Sequence, residues 1–323
     1  MIMKYDANKP LNFSPIIKLK TEKPTINLYA KLAFLNLTGS IKDKVAAYMI
    51  SQLKKEGKLK DGQLIVEASS GNMGAALAVY GRNEGHPVYI TVPQKTGRLK
   101  IAAIQRLGAK VIVCPESIRE NDPKNYVNTA KKIAREHGGY FINQYDNPLN
   151  EECHYFTTGL EIVEFCQSNK ISLDYFITVG GSGGTITGSA RRIKETYSRT
   201  KVIMPDPYGS IYHPFFKFKK IEEGQIHPYQ VEGPGNPIFC KSMNLSLIDD
   251  IIQFSDEEAF EGCASLAKDQ GIHGGHSAGA NYHTALKLIN SLPEGAQANI
   301  LILIPDTGLK YSNIKNMKYL DYK

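Results

Sequence analysis

The sequence predicts an α/β protein with mostly parallel, twisted sheets covered by helices on both faces. Short apolar, β-branched runs alternate along the chain with longer segments of helical periodicity. Parallel strands need a helix-length crossover between them, and this alternation supplies one. The 323 residues are enough for two ordinary domains, and 42% hydrophobic with 22% charged residues is typical of a globular protein.

Each predicted strand is a short apolar run bounded by polar or glycine-containing segments. The strands are expected at 64–67, 88–92, 111–114, 140–142, 175–179, near Val202 and at 300–304. Each predicted helix is a longer segment whose apolar residues recur at spacings of three and four. The helices are expected from Lys42 onwards, at 72–85, 98–107, 124–137, 151–167, 190–197 and 256–269, and after Ser277.

Charge and cysteine content narrow the function classes. The formal net charge is +7, but the basic residues are scattered through helical segments, so we expect no nucleic-acid partner. The five cysteines lie far apart without a C-x-x-C pair, which indicates a reducing compartment, no disulfide framework and no metal site. The first residues lack the apolar core of a signal peptide, and no run reaches membrane-spanning length. We therefore expect a cytoplasmic protein with no membrane partner.

A glycine-rich stretch is the strongest functional signal. It reads TVGGSGGTITGS over Thr178–Ser189, between an apolar strand and a helical segment. Its glycines let the backbone approach a ligand, its hydroxyls donate hydrogen bonds, and a helix N-terminus favours an anion. Ile186 stands where a dinucleotide fingerprint needs its third glycine, and the lysine of a P-loop is missing. The stretch predicts a cup for a small phosphate monoester, with a plain glycine-rich turn as the alternative.

Three other stretches carry chemical groups. Lys42 follows a Gly-Ser turn and starts a helix, where the dipole lowers the pKa of an amine and suits it to act as a nucleophile. A surface lysine is the alternative reading. Glu67–Gly74, EASSGNMG, joins a strand to a helix and would bind a carboxylate or simply cap the helix. Thr307, after the last apolar strand, would contact a cofactor or form a turn with Asp306 and Gly308.

In kind and order these pieces resemble the fold-type II, pyridoxal-phosphate-dependent β-family, which includes cysteine synthase and the catalytic core of cystathionine β-synthase. The run GSIKD at 39–43 is similar to the family's GSxKDR motif, SSGNMG at 69–74 to its TSGNTG loop, and GSGGT at 181–185 to its GTGGT loop. The resemblance covers roughly residues 32–311. It implies two three-layer αβα domains of the tryptophan synthase β-like type.

The resemblance implies pyridoxal 5'-phosphate as the cofactor and gives each matching residue a role. Lys42 would be the catalytic lysine that holds the cofactor as a Schiff base, and Thr307 would face the pyridine nitrogen. The phosphate would be held by Gly181, Ser182, Gly183, Gly184 and Thr185. The substrate would be bound by Ser69, Ser70, Gly71, Asn72, Met73 and Gln144, and Asn72 would also face the cofactor's phenolic oxygen.

The resemblance also implies a division of the chain. A smaller, mobile domain at 40–148 would bind the substrate carboxylate, and a larger domain of 1–39 plus 149–323 would bind the cofactor's phosphate. The Asn/Asp/Pro content of Gln144–Asn150 is weak independent evidence for a boundary there. By the same resemblance the protein would be a homodimer.

Three further residues bear on substrate choice, and two histidines are considered as metal ligands. Met73 replaces a threonine that touches the substrate in the family, and Arg98 lies in another substrate-facing segment. Glu232 would bind the substrate as an acid or base near its side chain, with an exposed carboxylate as the alternative. His273 and His276 are three apart, and without further ligands we expect packing or polar contacts and not a metal site.

The implied function is a β-replacement or β-elimination on a serine- or cysteine-type amino acid, through an aminoacrylate intermediate. Cysteine synthase, with O-acetylserine or a related donor and sulfide, is the leading activity. The alternatives are a cystathionine β-synthase-like enzyme, a hydrogen-sulfide-releasing cysteine lyase, a diaminopropionate-precursor synthase that uses O-phosphoserine, and a serine/threonine dehydratase. An inactive homologue that serves as a binding module is the non-enzyme alternative.

Overall fold

The computed structural model describes residues 13–115 and 122–311. Contacts divide the chain into two compact units. Within the described residues, unit 1 takes 36–115 and 122–153, and unit 2 takes Phe13–Leu35 together with 154–311. Each unit is built on one sheet.

The strands run in chain order as follows: β1 Ile16–Leu19, β2 Ile26–Lys31, β3 Ile65–Ala68, β4 Val88–Pro93, β5 Lys110–Cys114, β6 Tyr140–Phe141, β7 Tyr175–Ile177, β8 Lys201–Pro207, β9 Asp250–Phe254 and β10 Ala298–Leu303. The α-helices are α1 Lys42–Lys55, α2 Asn72–Asn83, α3 Arg98–Arg106, α4 Tyr126–Glu136, α5 Leu149–His154, α6 Leu160–Ser168, α7 Gly184–Thr196, α8 Tyr212–Phe218, α9 Asp256–Gln270 and α10 His276–Ser291.

Unit 1 has a parallel sheet in the order β5-β4-β3-β6. Neighbouring residues of β3 point to opposite faces, as in any strand. Ile65 packs with Ile50 of α1 and Leu77 of α2, whereas Val66 packs with Ala130 of α4. Both faces of this sheet are therefore covered by helices, as its apolar strands predict.

Unit 2 has a sheet in the order β1-β2-β10-β7-β8-β9, in which β1 is antiparallel to β2 and the other pairs are parallel. The central β10 presents Ile300 and Ile302 to a core that includes Tyr282 of α10 and Leu266 of α9. The alternate residue Leu301 is also fully buried. The predicted α/β class with mostly parallel strands is confirmed.

The structure departs from the predicted elements in several places. β1, β2, β9 and α8 were not predicted. β1 and β9 are edge strands of mixed polarity, and α8 is only seven residues long. The predicted helix at 151–167 is interrupted by a π-helical turn at Tyr155–Gly159. The spacing of apolar residues did not reveal this single turn inside the helix. α7 begins at Gly184 and not near 190, so the glycine-rich stretch itself forms the first turn of the helix.

No helix in the described part of the chain combines the length and the apolar composition that crossing a bilayer requires.

Candidate active site

Lys42 is the first residue of α1 in unit 1 and is half-buried. The turn before it is held by hydrogen bonds. The Ser40 hydroxyl accepts from the Lys42 backbone N–H at 3.3 Å, and the buried Asp43 carboxylate accepts from both the backbone N–H (3.0 Å) and the hydroxyl of Thr38. Asp43 thus closes the turn and sets the direction in which α1 starts. The predicted lysine therefore stands on a braced helix N-terminus and not on a free surface loop.

Glu67 lies near the end of β3 and begins the EASSGNMG stretch, but no role of its own was predicted for it. Its side chain is 0% exposed. Its Oε1 accepts the Ala68 N–H at 2.9 Å and its Oε2 accepts the Gln144 N–H at 3.3 Å. Burial raises the pKa of Glu67 to about 8, although these backbone hydrogen bonds and the charge of Lys42 act in the opposite direction. Glu67 thus bonds to the turn of the predicted carboxylate-binding Gln144 and lies within the electrostatic influence of Lys42.

The loop between β3 and α2 contains the predicted carboxylate-binding residues. The Ser69 hydroxyl accepts the N–H groups of Gly71 at 3.4 Å and Gly74 at 3.2 Å, so Ser69 caps α2. Ser70 and Asn72 are half-buried at the first turn of α2. Ser69 therefore has the capping role, and carboxylate binding by Ser70 and Asn72 stays a prediction.

Met73 and Gln144 occupy different surroundings. The Met73 side chain is 1% exposed and packs in the core with Leu77 and Ile90. From this position Met73 offers a ligand its backbone and not its thioether. Gln144 is buried in a turn whose carbonyl accepts the Asn150 side-chain amide at 2.7 Å. Arg98 is exposed at the start of α3 in the same unit.

The glycine-rich stretch of unit 2 forms a backbone cup at the start of α7. Gly183 is the N-cap residue with a left-handed φ of +93°, and a Cβ there would lie 2.5 Å from the Met243 backbone. A Cβ on Gly181 would lie 2.2 Å from the Gly233 carbonyl oxygen. Both positions therefore require glycine. The first turn of any α-helix directs N–H groups outward without acceptors in the helix, which is the geometry for binding an anion.

Neighbouring segments hold this cup in place. The Tyr212 hydroxyl donates to the Gly181 carbonyl at 2.8 Å, and the Gly235 N–H donates to the Gly180 carbonyl at 2.6 Å. The Thr187 hydroxyl accepts the Asn244 N–H at 3.0 Å. Ser182 and Thr185 are half-buried at the rim. The cup is a supported structure, which an ordinary connecting turn does not need.

Sequence reasoning missed His154, which stands behind the cup. His154 is fully buried, with its Nδ1 3.0 Å from the Thr158 hydroxyl and its Nε2 3.1 Å from the Thr185 hydroxyl. The contact orients the Thr185 hydroxyl at the first turn of α7. The only signal in the sequence was a histidine in a helical segment, and helical spacing alone gives it no partner 31 residues away.

Thr307 and Asp306 follow β10 and have different environments. Asp306 is buried, its side chain accepts the Tyr311 hydroxyl, and its carbonyl accepts the Gly275 N–H at 3.1 Å. Burial, together with the neighbouring Asp306 carboxylate, raises the pKa of Tyr311 well above its usual value. Thr307 is half-exposed, and its hydroxyl accepts the Leu309 N–H at 3.3 Å. Of the two residues, Thr307 has the side chain that a ligand can reach.

One buried asparagine joins the strands that carry these elements. The Asn281 Oδ1 accepts the Val179 N–H and its Nδ2 donates to the Leu303 carbonyl, each at 2.8 Å. The residues after β7 and at the end of β10 are thereby tied together, so the cup and Thr307 leave the same edge of the unit 2 sheet.

The two histidines predicted near the site, His273 and His276, have different surroundings. The His276 ring packs on Tyr311 and accepts the backbone N–H of the exposed Glu232 at 3.1 Å. The His273 ring lies against Gly308, close enough to exclude a Cβ there. Among the described residues no group of three or more His, Cys, Asp or Glu side chains could hold a metal ion.

These residues fit pyridoxal phosphate. The cradle at Gly181 and Gly183, which a Cβ would fill, is suited to a phosphate, and Lys42 supplies an amine for an aldehyde. Thr307 has a neutral hydroxyl, which would suit a hydrogen bond to a ring nitrogen.

Two curated relatives match over most of the chain. A cystathionine β-synthase from Apis mellifera is 34% identical over 298 residues, which cover 91% of this chain and 57% of the relative. A cysteine synthase from Staphylococcus aureus is 29% identical over 300 residues, which cover 92% of each protein. The chain therefore spans little more than half the length of the cystathionine β-synthase it matches.

Solved structures show the same architecture. An O-ureido-L-serine synthase superposes with a TM-score of 0.86 at 28% identity, over 96% of this chain and 94% of the other. An O-acetylserine-dependent cystathionine β-synthase from Helicobacter pylori superposes with a TM-score of 0.82 at 31% identity, over 97% and 98%.

The family model described as pyridoxal-phosphate dependent enzyme matches residues 8–306, nearly the whole chain. The predicted family, fold class and cofactor are thereby confirmed. The chain belongs to the pyridoxal-phosphate-dependent enzymes and is related to the cysteine synthases and cystathionine β-synthases.

Proposed function

We propose that the protein catalyses β-replacement on a serine-type amino acid, with cysteine synthase as the leading activity. In this reaction sulfide replaces the β-substituent of O-acetylserine or a related donor. The observation that carries the proposal lies at the end of β3. There, one buried carboxyl, Glu67, accepts the Gln144 N–H and lies in the field of Lys42, and the first turn of α2 follows directly. An amine beside carboxylate-binding groups is what chemistry at the α-carbon of an amino acid requires.

Lys42 has two tasks in the proposal. Its amine would hold the cofactor, and when free it would accept the α-proton of the substrate and later return it. Bound pyridoxal phosphate supplies an electron sink for the pair of electrons left at the α-carbon. The braced turn at Ser40 and Asp43 limits how far Lys42 moves between the two tasks.

The substrate carboxylate is bound by Ser70, Asn72 and the backbone N–H groups of the first turn of α2. Ser69, Gly71 and Met73 contribute through the backbone that shapes this turn. Gln144 adds a side-chain amide from a turn that Asn150 and Glu67 hold. Exposed Glu232 would meet the substrate's side chain. Residues 40–148 would form the mobile, substrate-binding domain predicted from the family resemblance.

The phosphate is held by Gly181, Ser182, Gly183, Gly184 and Thr185, and Thr307 faces the pyridine nitrogen. Because the Thr307 hydroxyl already accepts the Leu309 N–H, its own O–H remains to be donated to a ring nitrogen. A neutral hydroxyl there, in place of a carboxylate, would not keep the ring nitrogen protonated, and this would favour loss of a β-substituent over transamination.

A cystathionine β-synthase-like reaction, with homocysteine as the nucleophile, is the second candidate. The names of two matching proteins support it: the cystathionine β-synthase of Apis mellifera and the O-acetylserine-dependent enzyme of Helicobacter pylori. Cysteine synthases and cystathionine β-synthases both match this chain at about 30% identity. The choice between sulfide and homocysteine as the acceptor is therefore left to experiment.

A cytoplasmic homodimer completes the proposal. All five cysteines of the chain are free and buried, which supports a reducing compartment. The dimer rests on the family resemblance, and light scattering of the purified protein tests it.

The experiment is a spectral titration of the purified enzyme with O-acetylserine, O-phosphoserine, serine and cysteine, followed by sulfide or homocysteine as the acceptor. We expect a visible cofactor band that changes with O-acetylserine and cysteine as the product with sulfide. The Lys42→Ala variant should lose the band of the covalently held cofactor. Lys55→Ala, which removes an exposed amine from the last turn of the same helix, is the matched control and should keep it.

Each part of the proposal has its own contrary result. A wild-type protein without a cofactor band, or a band unchanged in Lys42→Ala, contradicts the assignment of Lys42. A normal band with turnover only by homocysteine selects the second candidate. Conversion of serine or threonine to a 2-oxo acid and ammonia, without any acceptor product, would show a dehydratase.

A further inference from the structure

A short loop of unit 2 carries Glu232, whose exposed side chain the proposed function assigns to the substrate. We call residues 230–235 the Glu232 loop. A Cβ on Gly181 of the phosphate cup would lie 2.2 Å from the Gly233 carbonyl oxygen, and a Cβ on Gly233 would lie 2.8 Å from the Ser277 hydroxyl of α10. The Glu232 loop therefore packs closely against both the cup and the first turn of α10.

Both ends of the Glu232 loop are held by hydrogen bonds. At its start, the Asp256 carboxylate in the first turn of α9 accepts the Gln230 N–H at 2.9 and 3.0 Å and the Val231 N–H at 2.9 Å. At its end, the Gly235 N–H donates to the Gly180 carbonyl at 2.6 Å. The loop is thus anchored on α9 at one end and beside the phosphate cup at the other.

The middle of the Glu232 loop has a more permissive backbone. Gly233 has a left-handed φ of +102°, and glycine leaves the chain free to turn there. Pro234 has no N–H with which to anchor itself. The Glu232 N–H donates to the Nδ1 atom of His276, at the start of α10, over 3.1 Å. This hydrogen bond fixes the backbone of the residue whose side chain is assigned to the substrate.

The His276 ring is packed so that its Nδ1 meets this N–H. Its centroid lies 4.2 Å from that of the Tyr311 ring, and it contacts the Phe260 ring of α9 edge-on at 5.1 Å. Tyr311 is held in turn, because its hydroxyl donates to the buried Asp306 carboxylate. Since a backbone N–H only donates, Nδ1 carries no proton in this contact and acts as the acceptor.

We propose that His276 is a positioning residue that fixes Glu232 for the substrate by accepting its backbone N–H. The inference rests on the proposed function for the task of Glu232, whereas the hydrogen bond and the ring contacts belong to unit 2. A loop that is already ordered does not have to be ordered when the substrate binds, which lowers the entropic cost of the reactive geometry. His276 thereby acts through Glu232 and not on the reacting atoms.

Hydrogen exchange of the holoenzyme, followed by mass spectrometry on a peptide covering 229–236, tests the positioning directly. His276→Phe keeps a ring between Tyr311 and Phe260 but removes the acceptor, whereas His276→Asn loses the ring and keeps an acceptor oxygen in place of Nδ1. We expect one amide to exchange about five- to tenfold faster in His276→Phe and at nearly the wild-type rate in His276→Asn. The matched control is His283→Ala, which removes a histidine from a later turn of α10 and should leave the exchange unchanged.

A double-mutant cycle then shows whether His276 acts through Glu232. The rate at which O-acetylserine changes the cofactor band is measured for the wild type, His276→Phe, Glu232→Gln and the double variant. We expect His276→Phe to lower this rate about five- to tenfold and the double variant to be no slower than Glu232→Gln. His276→Asn should stay within about twofold of the wild type.

Three results would overturn the inference. The first is equal exchange in the wild type and His276→Phe. The second is a His276→Asn protein that exchanges as fast as His276→Phe, since packing and not the acceptor would then hold the loop. The third is a double variant in which the effects of the two substitutions add. If circular dichroism shows that His276→Phe is not folded, His276→Leu replaces it, because leucine also fills space without offering an acceptor.

Failure of the proposed function gives a different pattern. A protein without a cofactor band, or with a band that O-acetylserine does not change, contradicts the proposed function, while faster exchange in His276→Phe still supports the hold of His276 on the loop. A wild-type rate in Glu232→Gln removes the task of Glu232 and the inference with it. Normal turnover with unchanged exchange in His276→Phe contradicts the inference alone.

Discussion

The unfolding free energy of Glu67→Gln should depend on pH differently from that of the wild type. The substitution keeps the shape of the side chain and a carbonyl oxygen that accepts one of the two backbone N–H groups, but it removes the titration. The pKa of Glu67 is raised from its usual 4.5 to about 8 in the folded chain, mainly by burial. Between these two values the folded chain therefore binds more protons than the unfolded chain.

The sign follows from proton linkage. Where the native state binds more protons, stability falls as the pH rises, so the wild type loses stability between pH 4.5 and about 8. Each pH unit in that window is worth about 1.4 kcal/mol, so the total loss attributable to Glu67 is about 5 kcal/mol. The glutamine variant has no such loss. Relative to the wild type it should gain about 5 kcal/mol from the acid to the alkaline end of the window.

Urea unfolding of the cofactor-free protein, followed by circular dichroism at several pH values, measures this difference. Removing the cofactor keeps changes in its affinity out of the comparison. Glu84→Gln serves as the control, because its carboxylate is exposed in an ion pair with Lys54 and its curve should run parallel to that of the wild type. Parallel curves for Glu67→Gln and the wild type would refute the reasoning, since they would mean that Glu67 titrates alike in both states.

Three other substitutions have expected outcomes on stability or binding. Gly183→Ala should lower cofactor affinity, measured by fluorescence titration, because its Cβ would lie 2.5 Å from the Met243 backbone at a φ of +93°; unchanged affinity would contradict the cup. Glu161→Gln should lower the free energy of unfolding by about 3–5 kcal/mol, because it removes the carboxylate that lies 2.5 Å from the fully buried Lys31 ammonium. An apolar pair at both positions should recover most of that free energy in urea unfolding. Ser255→Ala should cost about 1 kcal/mol through loss of the capping box of α9, with cofactor binding unaffected.

Local chemistry made part of the site predictable. Several features are defined by residues adjacent in the chain: a lysine at a helix start, a polar turn after a strand and a glycine-rich turn. The same holds for the α/β alternation that predicted the fold class. The predicted start of α7 lay too late in the chain, because glycine is unfavourable inside a helix. In the structure Gly183 caps the helix and Gly184 begins it. The roles of the individual site residues stay predictions.

Other features of the site depend on contacts between residues that are distant in the sequence. Asp306 is bonded to Tyr311 and Gly275 and is buried, whereas the side chain of the adjacent Thr307 is half-exposed, and no local pattern in the sequence distinguishes the two. His154 acquires its role only through Thr185 on another helix.

From the sequence alone it was possible to determine which residue types stand at the ends of which strands, and hence the family, the cofactor and the class of chemistry. Only the tertiary structure decided the protonation chemistry at Glu67. A carboxyl's pKa depends on how much water reaches it and on which donors and charges surround it, and these come from β3, α1 and a turn 77 residues away. The spacing of residues in the sequence does not show that Glu67 is buried.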